Sequence, residues 1–435
     1  MAEGDTKAAE LFELIGPPFG PENQEGITTF QSVDHALIPL EREAAITEAI
    51  DQALALDRTD KDFGTNLHRY FDAYLGTLSP QEQALFEQRL ALRFLDECKW
   101  SLAAVPSAAN LLAEPLDQGL LKASDLTLRK GSNLIYVLGN IADILKSGQA
   151  LGDIARNVAH DQGTITNLAN FFSLLANGND KQKALAESEL RLRLDLAKEL
   201  LQAIYAANSC IVSGQFNLAD VDVPACLEPI LIRILNRADN NYTFRINQGA
   251  QTGFITLDLT GMPDEIIADE AALTVILFNL LKNAVDKSDK QGMPILIKGR
   301  ELNGNCLEIS VRDFGNPIDI KKLRTRLTKT AREGQQAGRL LSRLETCLLD
   351  PHLSPLVPES AMTNALFSRT LSLSASGEGT GLSIVKSLVH GLNGDVRINN
   401  HPDGGVEVLI TLPNTREKDP IARSQMVNAA LLENL

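Results

Sequence analysis

Three glycines at alternate positions, Gly377, Gly379 and Gly381, stand in the run Ser376-Gly-Glu-Gly-Thr-Gly-Leu-Ser-Ile-Val-Lys386. A backbone without Cβ atoms lets phosphate oxygens come close. Thr380 caps an apolar run from Leu382 that reads as a helix, so free amides and the positive helix end face one point. Well upstream, Asn279-Leu-Leu-Lys-Asn-Ala-Val-Asp286 places Asn279 and Asn283 on one helix face. Two neutral amide oxygens side by side suit Mg²⁺, which takes oxygen ligands and keeps several waters. Between these segments, Leu307-Glu-Ile-Ser-Val-Arg312 alternates like a half-buried strand and runs into Asp313-Phe-Gly-Asn-Pro-Ile318. An aspartate at a strand end, with Gly315 opening the backbone beside it, can accept a hydrogen bond from an adenine amino group. These are the parts of a nucleotide site. A dinucleotide fold is disfavoured, because the spacing is not GxGxxG and the polar Ser372–Ser376 precedes it where a strand is needed.

The three elements, in this order, resemble the ATP-binding domain of sensor histidine kinases and the wider gyrase/Hsp90/histidine kinase/MutL ATPase superfamily. Asn279 and Asn283 sit where that family has its asparagine box, Asp313 and Gly315 at its first glycine box, and Gly377, Gly379 and Gly381 at its second. Leu366-Phe-Ser-Arg369 looks like the short phenylalanine motif before the nucleotide lid. Ile266–Leu273 resembles the segment leading into the asparagine-box helix, and Gly394–Asn399 with Val406–Pro413 resembles the terminal hairpin. The resemblance implies ATP and Mg²⁺ as ligands. It assigns Asn279 a catalytic part, Asn283 the metal, Asp313 and Gly315 the adenine, and Gly377, Gly379, Thr380, Gly381 and Leu382 the phosphates. Two positions depart from the pattern. Pro317 replaces the second glycine of the first box, fixing φ and removing an amide. Asp286 stands where a lysine often follows the second asparagine, with Lys287 one place later.

A kinase of this kind needs a phosphoacceptor. The apolar residues Ile154, Val158, Ile165, Leu168, Phe172 and Leu175 recur at bundle-forming spacings, and His160, Thr164 and Asn167 fall together on one flank of that stripe. Leu190, Leu194, Ala197, Leu201 and Ile204 repeat the spacing after an Asn177-Gly-Asn-Asp180 turn, which predicts a helical hairpin. Two such hairpins would make a dimeric four-helix bundle. His160-Asp161 with Thr164 resembles the family's His-(Glu/Asp)-x-x-(Thr/Asn) box, although Gly163 and Ile165 stand where arginine and proline are usual. A neutral imidazole, with its pKa of about 6.5, is a competent nucleophile at phosphorus. Asp161 would fix its tautomer, and Thr164 would orient a water for the reverse reaction.

The other histidines carry no comparable neighbours. His390 reads as a helix-face residue and His401 as a turn residue, while His35, His68 and His352 lack a metal-spaced constellation. Five scattered cysteines without a CxxC pair read as reduced, mostly buried thiols. A formal charge of −15 argues against a nucleic-acid surface. No apolar run approaches the roughly 20 residues that span a bilayer, and the first residues lack signal-peptide character. The expectation is a cytoplasmic homodimer that passes a phosphoryl group to the receiver domain of a response regulator.

The predicted fold class is α+β multidomain. A helical sensory or docking region (1–148) is followed by the dimerisation and phosphotransfer hairpin (149–213), an α/β sandwich ATPase domain of Bergerat type (214–414) and a C-terminal tail (415–435). Within the first region, Glu41–Leu56 and Leu134–Leu145 read as helices, and Ser79-Pro-Gln-Glu82 as a helix start with a capping box. An insertion over 319–365 carries the basic run Lys321–Arg332. One alternative is a degenerate kinase or phosphotransfer scaffold without ATP turnover. An ATP-driven clamp is another; it is disfavoured because Asn279 stands where clamps resemble one another in a glutamate.

Overall fold

The computed structural model describes residues 33, 35–54, 63–113, 115–144, 154, 158, 162–235, 245–246, 255–288, 294–303, 305–319, 321–323, 325, 328, 366, 380–417 and 419–433. The chain divides into two compact units, Thr28–Gln215 and Phe216–Leu435.

The first unit is helical. Its described helices are α1 (Leu40–Leu54), α2 (Phe63–Leu75), α3 (Pro80–Ala103), α4 (Ala108–Leu111), α5 (Gln118–Ile144), α6 (Gln162–Asn177) and α7 (Asp180–Ser213). α3 starts as its sequence demands. The Glu82 N–H donates to Ser79 Oγ at 3.4 Å, the Ser79 N–H donates to the Glu82 carboxylate at 2.8 Å, and Pro80 opens the first turn. α5 begins earlier than its apolar pattern suggests, because the Asp117 carboxylate accepts from the Gly119 and Leu120 amides.

The turn between α6 and α7 is built from its glycine. The Gly178 N–H donates to Leu174 O at 2.8 Å, and a Cβ on Gly178 would lie only 2.5 Å from that carbonyl. Asn179 then caps α7 with a reciprocal box to Gln182.

α6 packs on α5 and α7, α7 packs on α3, and α3 packs on α5. The hairpin is therefore half of an up-down-up-down four-helix bundle completed inside one chain. This differs from the sequence-based expectation, in which a second hairpin supplies the cover. Every residue of the two predicted stripes is at most 5% exposed within this single chain. Periodicity specifies that a face is buried, and α3 and α5, which pack on the hairpin, bring buried apolar side chains of their own, among them Leu90, Phe94, Leu121 and Leu128.

Glu82 also accepts from Arg42 of α1 at 2.6 Å. That bond, with those from Ser79, holds its carboxyl at about 2 against an ordinary 4.5. A carboxyl depressed in the folded state stabilises fully above its unfolded value and loses that contribution as pH falls through the folded one. We expect Glu82→Gln to lower thermal stability at neutral pH and to shrink the loss of stability between about pH 4.5 and 2. Circular dichroism melts across that range check this, and an unchanged acid slope would count against it.

The second unit contains α8 (Val223–Leu235), α9 (Glu270–Ser288), α10 (Thr380–Gly391) and α11 (Pro420–Glu433). Its strands are β1 (Ala219–Val221), β2 (Arg245–Ile246), β3 (Ile255–Gly261), β4 (Ile266–Ala268), β5 (Ile295–Leu302), β6 (Cys306–Asp313), β7 (Asp395–Asn400) and β8 (Val406–Pro413). β1 and β4 form a two-stranded antiparallel sheet, and the rest form a six-stranded sheet in the order β2-β3-β5-β6-β8-β7. The first three strands are parallel and the others antiparallel. Alternation turns Ile255, Leu257, Ile295, Ile297, Ile309, Val311, Val396, Ile398, Val408 and Ile410 to one buried face. α9 packs on β5, β6, α8 and α10.

Two readings are refined here. β6 is more buried than a half-exposed strand, because it sits centrally between β5 and β8 and its Ser310 and Arg312 are also covered. The segment read as a tail carries α11. The Ile421 N–H donates to the Asp419 carboxylate at 3.0 Å, and Val427, Ala430 and Leu431 pack on Leu302 and Cys306. Arg423, 2% exposed, donates to the carbonyls of Leu392, Pro413, Thr415 and Glu417, tying α11 to the ends of α10 and β8.

Among the described residues no helix is long and apolar enough to cross a membrane. No cluster of His, Cys, Asp or Glu among them could hold a metal ion. Cys98, Cys226 and Cys306 are buried, and Cys210 is half-buried.

Candidate functional site

The asparagine-box helix α9 starts at an aspartate that does two things. Asp269, 4% exposed, accepts the Ala272 N–H at 2.9 Å as an N-cap, and its other oxygen accepts the Asn217 N–H at 2.8 Å. The cap fixes the helix start, and so the azimuth of Asn279 and Asn283, both half-buried on the same face. The Asn279 side-chain amide donates to Val275 O at 3.0 Å, which leaves its oxygen turned toward α10. A Cβ placed on Gly381 would lie 2.8 Å from that oxygen. A glycine lets the start of α10 approach this closely without displacing the asparagine side chain.

Two boxes that lie a hundred and two residues apart in the chain (381 − 279) thus meet at one point. Thr380 is the first residue of α10, not a cap before it, and Leu382 is half-buried in its first turn. Gly377 and Gly379 lie outside the described residues. So does Leu366-Phe-Ser-Arg369, apart from Leu366, which is 3% exposed. Asp286 and Lys287 fall in the last turn of α9.

Asp313 ends β6 and is 4% exposed. Its carboxylate accepts the Gly315 N–H at 3.0 Å, which curls the first glycine box around it. The β7–β8 turn presses on the same backbone. Gly405 has φ 82°, and a Cβ there would sit 1.9 Å from Asp313 O. Phe314 stacks on the Arg312 guanidinium at 4.1 Å, and Arg312 lies 3.0 Å from His401 Nε2 and donates to Gly404 O at 3.3 Å.

Sequence reasoning missed Asn400. Its side-chain oxygen accepts the Ile318 N–H at 2.7 Å and its amide donates to Ile318 O at 3.1 Å. The loop that Pro317 deprives of an amide is therefore held one residue later. A polar residue closing a strand before a turn gives no sign of so distant a partner. Asp269 was legible only as part of a resembling segment.

His160 and Asp161 lie outside the described residues, and Thr164 falls within α6. Ile154 and Val158, members of the same stripe, are buried. His390 is half-buried in the last turn of α10, where burial and then Lys386 draw its pKa below the usual value. His401 starts the β7–β8 turn, where its Nδ1 faces the Asp403 N–H at 3.2 Å.

Residues 268–416 match the family described as histidine kinase-, DNA gyrase B-, and HSP90-like ATPase. The C-terminal unit is an ATPase domain of that family. Within it, the chain's resemblance is to sensor histidine kinases. It is 29% identical over 174 residues to the autoinducer 2 sensor kinase/phosphatase LuxQ of Vibrio parahaemolyticus, covering 39% of this chain and 16% of that protein. It is 25% identical over 280 residues to the sensor histidine kinase ZraS of Klebsiella oxytoca, covering 62% and 48%. The chain thus spans at most about half the length of these curated relatives. Among solved structures, full-length ShkA in complex with AMPPNP shares 19% identity over 61% of this chain and 46% of that one, with a TM-score of 0.33.

Proposed function

We propose that this chain is a sensor histidine kinase that uses Mg-ATP to phosphorylate His160 and passes the phosphoryl group to an aspartate of a response regulator's receiver domain. The observation that carries the reading is the meeting of Asn279 with Gly381, in a domain whose Asp313 carboxylate is buried and oriented by Gly315. The cradle fits a nucleotide. It pairs amide oxygens for a metal with a side-chain-free helix start for phosphates, and adds a carboxylate acceptor for an adenine amino group.

Asn283, with Asn279 beside it, would hold Mg²⁺, which when bound neutralises charge on the transferring phosphoryl group. The rest is positioning. The neutral imidazole of His160 forms the N–P bond as the bond from the γ-phosphorus to the ADP oxygen breaks. Asp161 holds the proton on the other ring nitrogen. Incubation with γ-labelled ATP should yield an acid-labile, base-stable mark. A chain that binds ATP and never takes the mark would instead support a degenerate kinase, the reading Pro317 and Asp286 favour.

Gly381→Ala provides a local test. The added methyl cannot occupy its place without moving Asn279 or the start of α10, and overpacking of this kind costs about 1–3 kcal/mol. We expect Mg²⁺-dependent ATP affinity to fall by about tenfold. Titration calorimetry with and without Mg²⁺ reads it, and unchanged binding would separate the glycine from the site.

A further inference from the structure

What backs Asp313 differs from one side of β6 to the other. Toward β5 the ladder reaches the aspartate, with Ile295 opposite it. Toward β8 the last pair is Arg312 with Glu407, one residue short. From there the β7–β8 turn, residues 401–405, takes over. A Cβ on Gly405 would lie 1.9 Å from Asp313 O, 2.7 Å from its carbonyl carbon and 2.8 Å from Phe314 Cα. The turn backbone therefore lies directly against the peptide that joins the two residues.

The turn is held in its own right. The His401 N–H donates to Gly405 O at 3.0 Å, the Gly404 N–H donates to His401 O at 2.9 Å, and Gly404 and Gly405 take φ of 92° and 82°. Arg312, 8% exposed, ties it to β6 through Gly404 O and His401. At the other end of the first glycine box Asn400, the last residue of β7, meets both backbone groups of Ile318. One hairpin thus grips residues 312–318 at both ends, and between them the Gly315 N–H holds the Asp313 carboxylate.

We propose that Gly405 and Asn400 are positioning residues for the carboxylate that meets adenine. This rests on the nucleotide reading of the site. Neither residue needs to touch the nucleotide. Hydrogen bonds weaken steeply as their geometry departs from linear, so the grip of a carboxylate on one amino group depends on where its backbone is held. A loop already in place also binds without a further ordering cost.

Two adjacent glycines provide the test. Gly404→Ala and Gly405→Ala both put a side chain on a left-handed backbone, but a Cβ on Gly404 meets nothing within 4 Å. In the full chain, Gly405→Ala should weaken Mg-ATP binding by about tenfold more than Gly404→Ala, read by calorimetry. Equal affinities of the two variants overturn the proposal. Asn400→Ala should weaken binding in the wild-type chain and far less in an Asp313→Asn background, because it acts through that carboxylate. The same loss in both backgrounds marks a general loosening of the fold and also overturns it. Hydrogen–deuterium exchange over 312–318, measured without nucleotide, should quicken in Gly405→Ala and Asn400→Ala while peptides elsewhere exchange as before. Exchange unchanged in both variants overturns the grip itself. If ATP does not bind the wild-type chain, the nucleotide reading fails, and the exchange pattern still decides whether the hairpin holds the box.

Discussion

Replacing Asp313 with Asn is expected to weaken ATP binding by about 1–3 kcal/mol, roughly 5- to 150-fold in Kd. The substitution is nearly isosteric and keeps a side-chain oxygen for the Gly315 N–H, so the loop around it should stay in place. What changes is the other atom. An amide NH₂ presents hydrogens to the adenine amino group, which is itself a donor, and an attractive contact becomes a repulsive one in a site where Asp313 is 4% exposed. Calorimetric titration should show the loss, and a thermal melt of the variant checks that the domain is still folded. GTP or another nucleotide without that amino group should be affected far less. Equal affinity of wild type and variant for ATP would mean that adenine does not meet Asp313.

His160→Gln carries the largest expected effect of all, complete loss of the acid-labile mark with ATP affinity unchanged. The substitution removes no core side chain, because the apolar stripe on either side of it in the sequence, Ile154, Val158 and Ile165, is buried and unchanged. Labelling, acid and base lability, and mapping of the modified residue by mass spectrometry check it together. A mark that persists on the variant, or that maps to His68 or His390, would mean that the hairpin carrying the acceptor has been chosen wrongly. Thr164→Ala should leave forward labelling in place and slow the reverse, dephosphorylating reaction.

Several features were legible without coordinates because their causes are local. The capping box at Ser79 and Glu82, the turn at Gly178 and the two amphipathic helices around it depend on residues within a few positions of one another. The strand ending at Asp313 and the helix carrying Asn279 and Asn283 are likewise encoded by periods of two and 3.6. Their order along the chain, read with the glycine run, pointed to a nucleotide site, and the family match to residues 268–416 agrees. α11 was missed although Val427, Ala430 and Leu431 carry a helical spacing, because a short amphipathic segment after the last strand reads equally well as a tail.

The sequence by itself determined which faces must be buried and which side chains have the chemistry for phosphate, metal and adenine. The tertiary structure decided what those faces meet. An apolar stripe on α6 and α7 says only that water is excluded; that α3 and α5 do the excluding follows from long-range contacts such as Gln88 of α3 to Val212 of α7, a hundred and twenty-four residues away. Asn400 holds Ile318 across eighty-two residues, and Asp269 holds Asn217 across fifty-two. No local period encodes such pairs. Each forms because a packed core allows few arrangements of neighbouring backbones, and a buried polar group must find its partner among the groups that packing brings within reach.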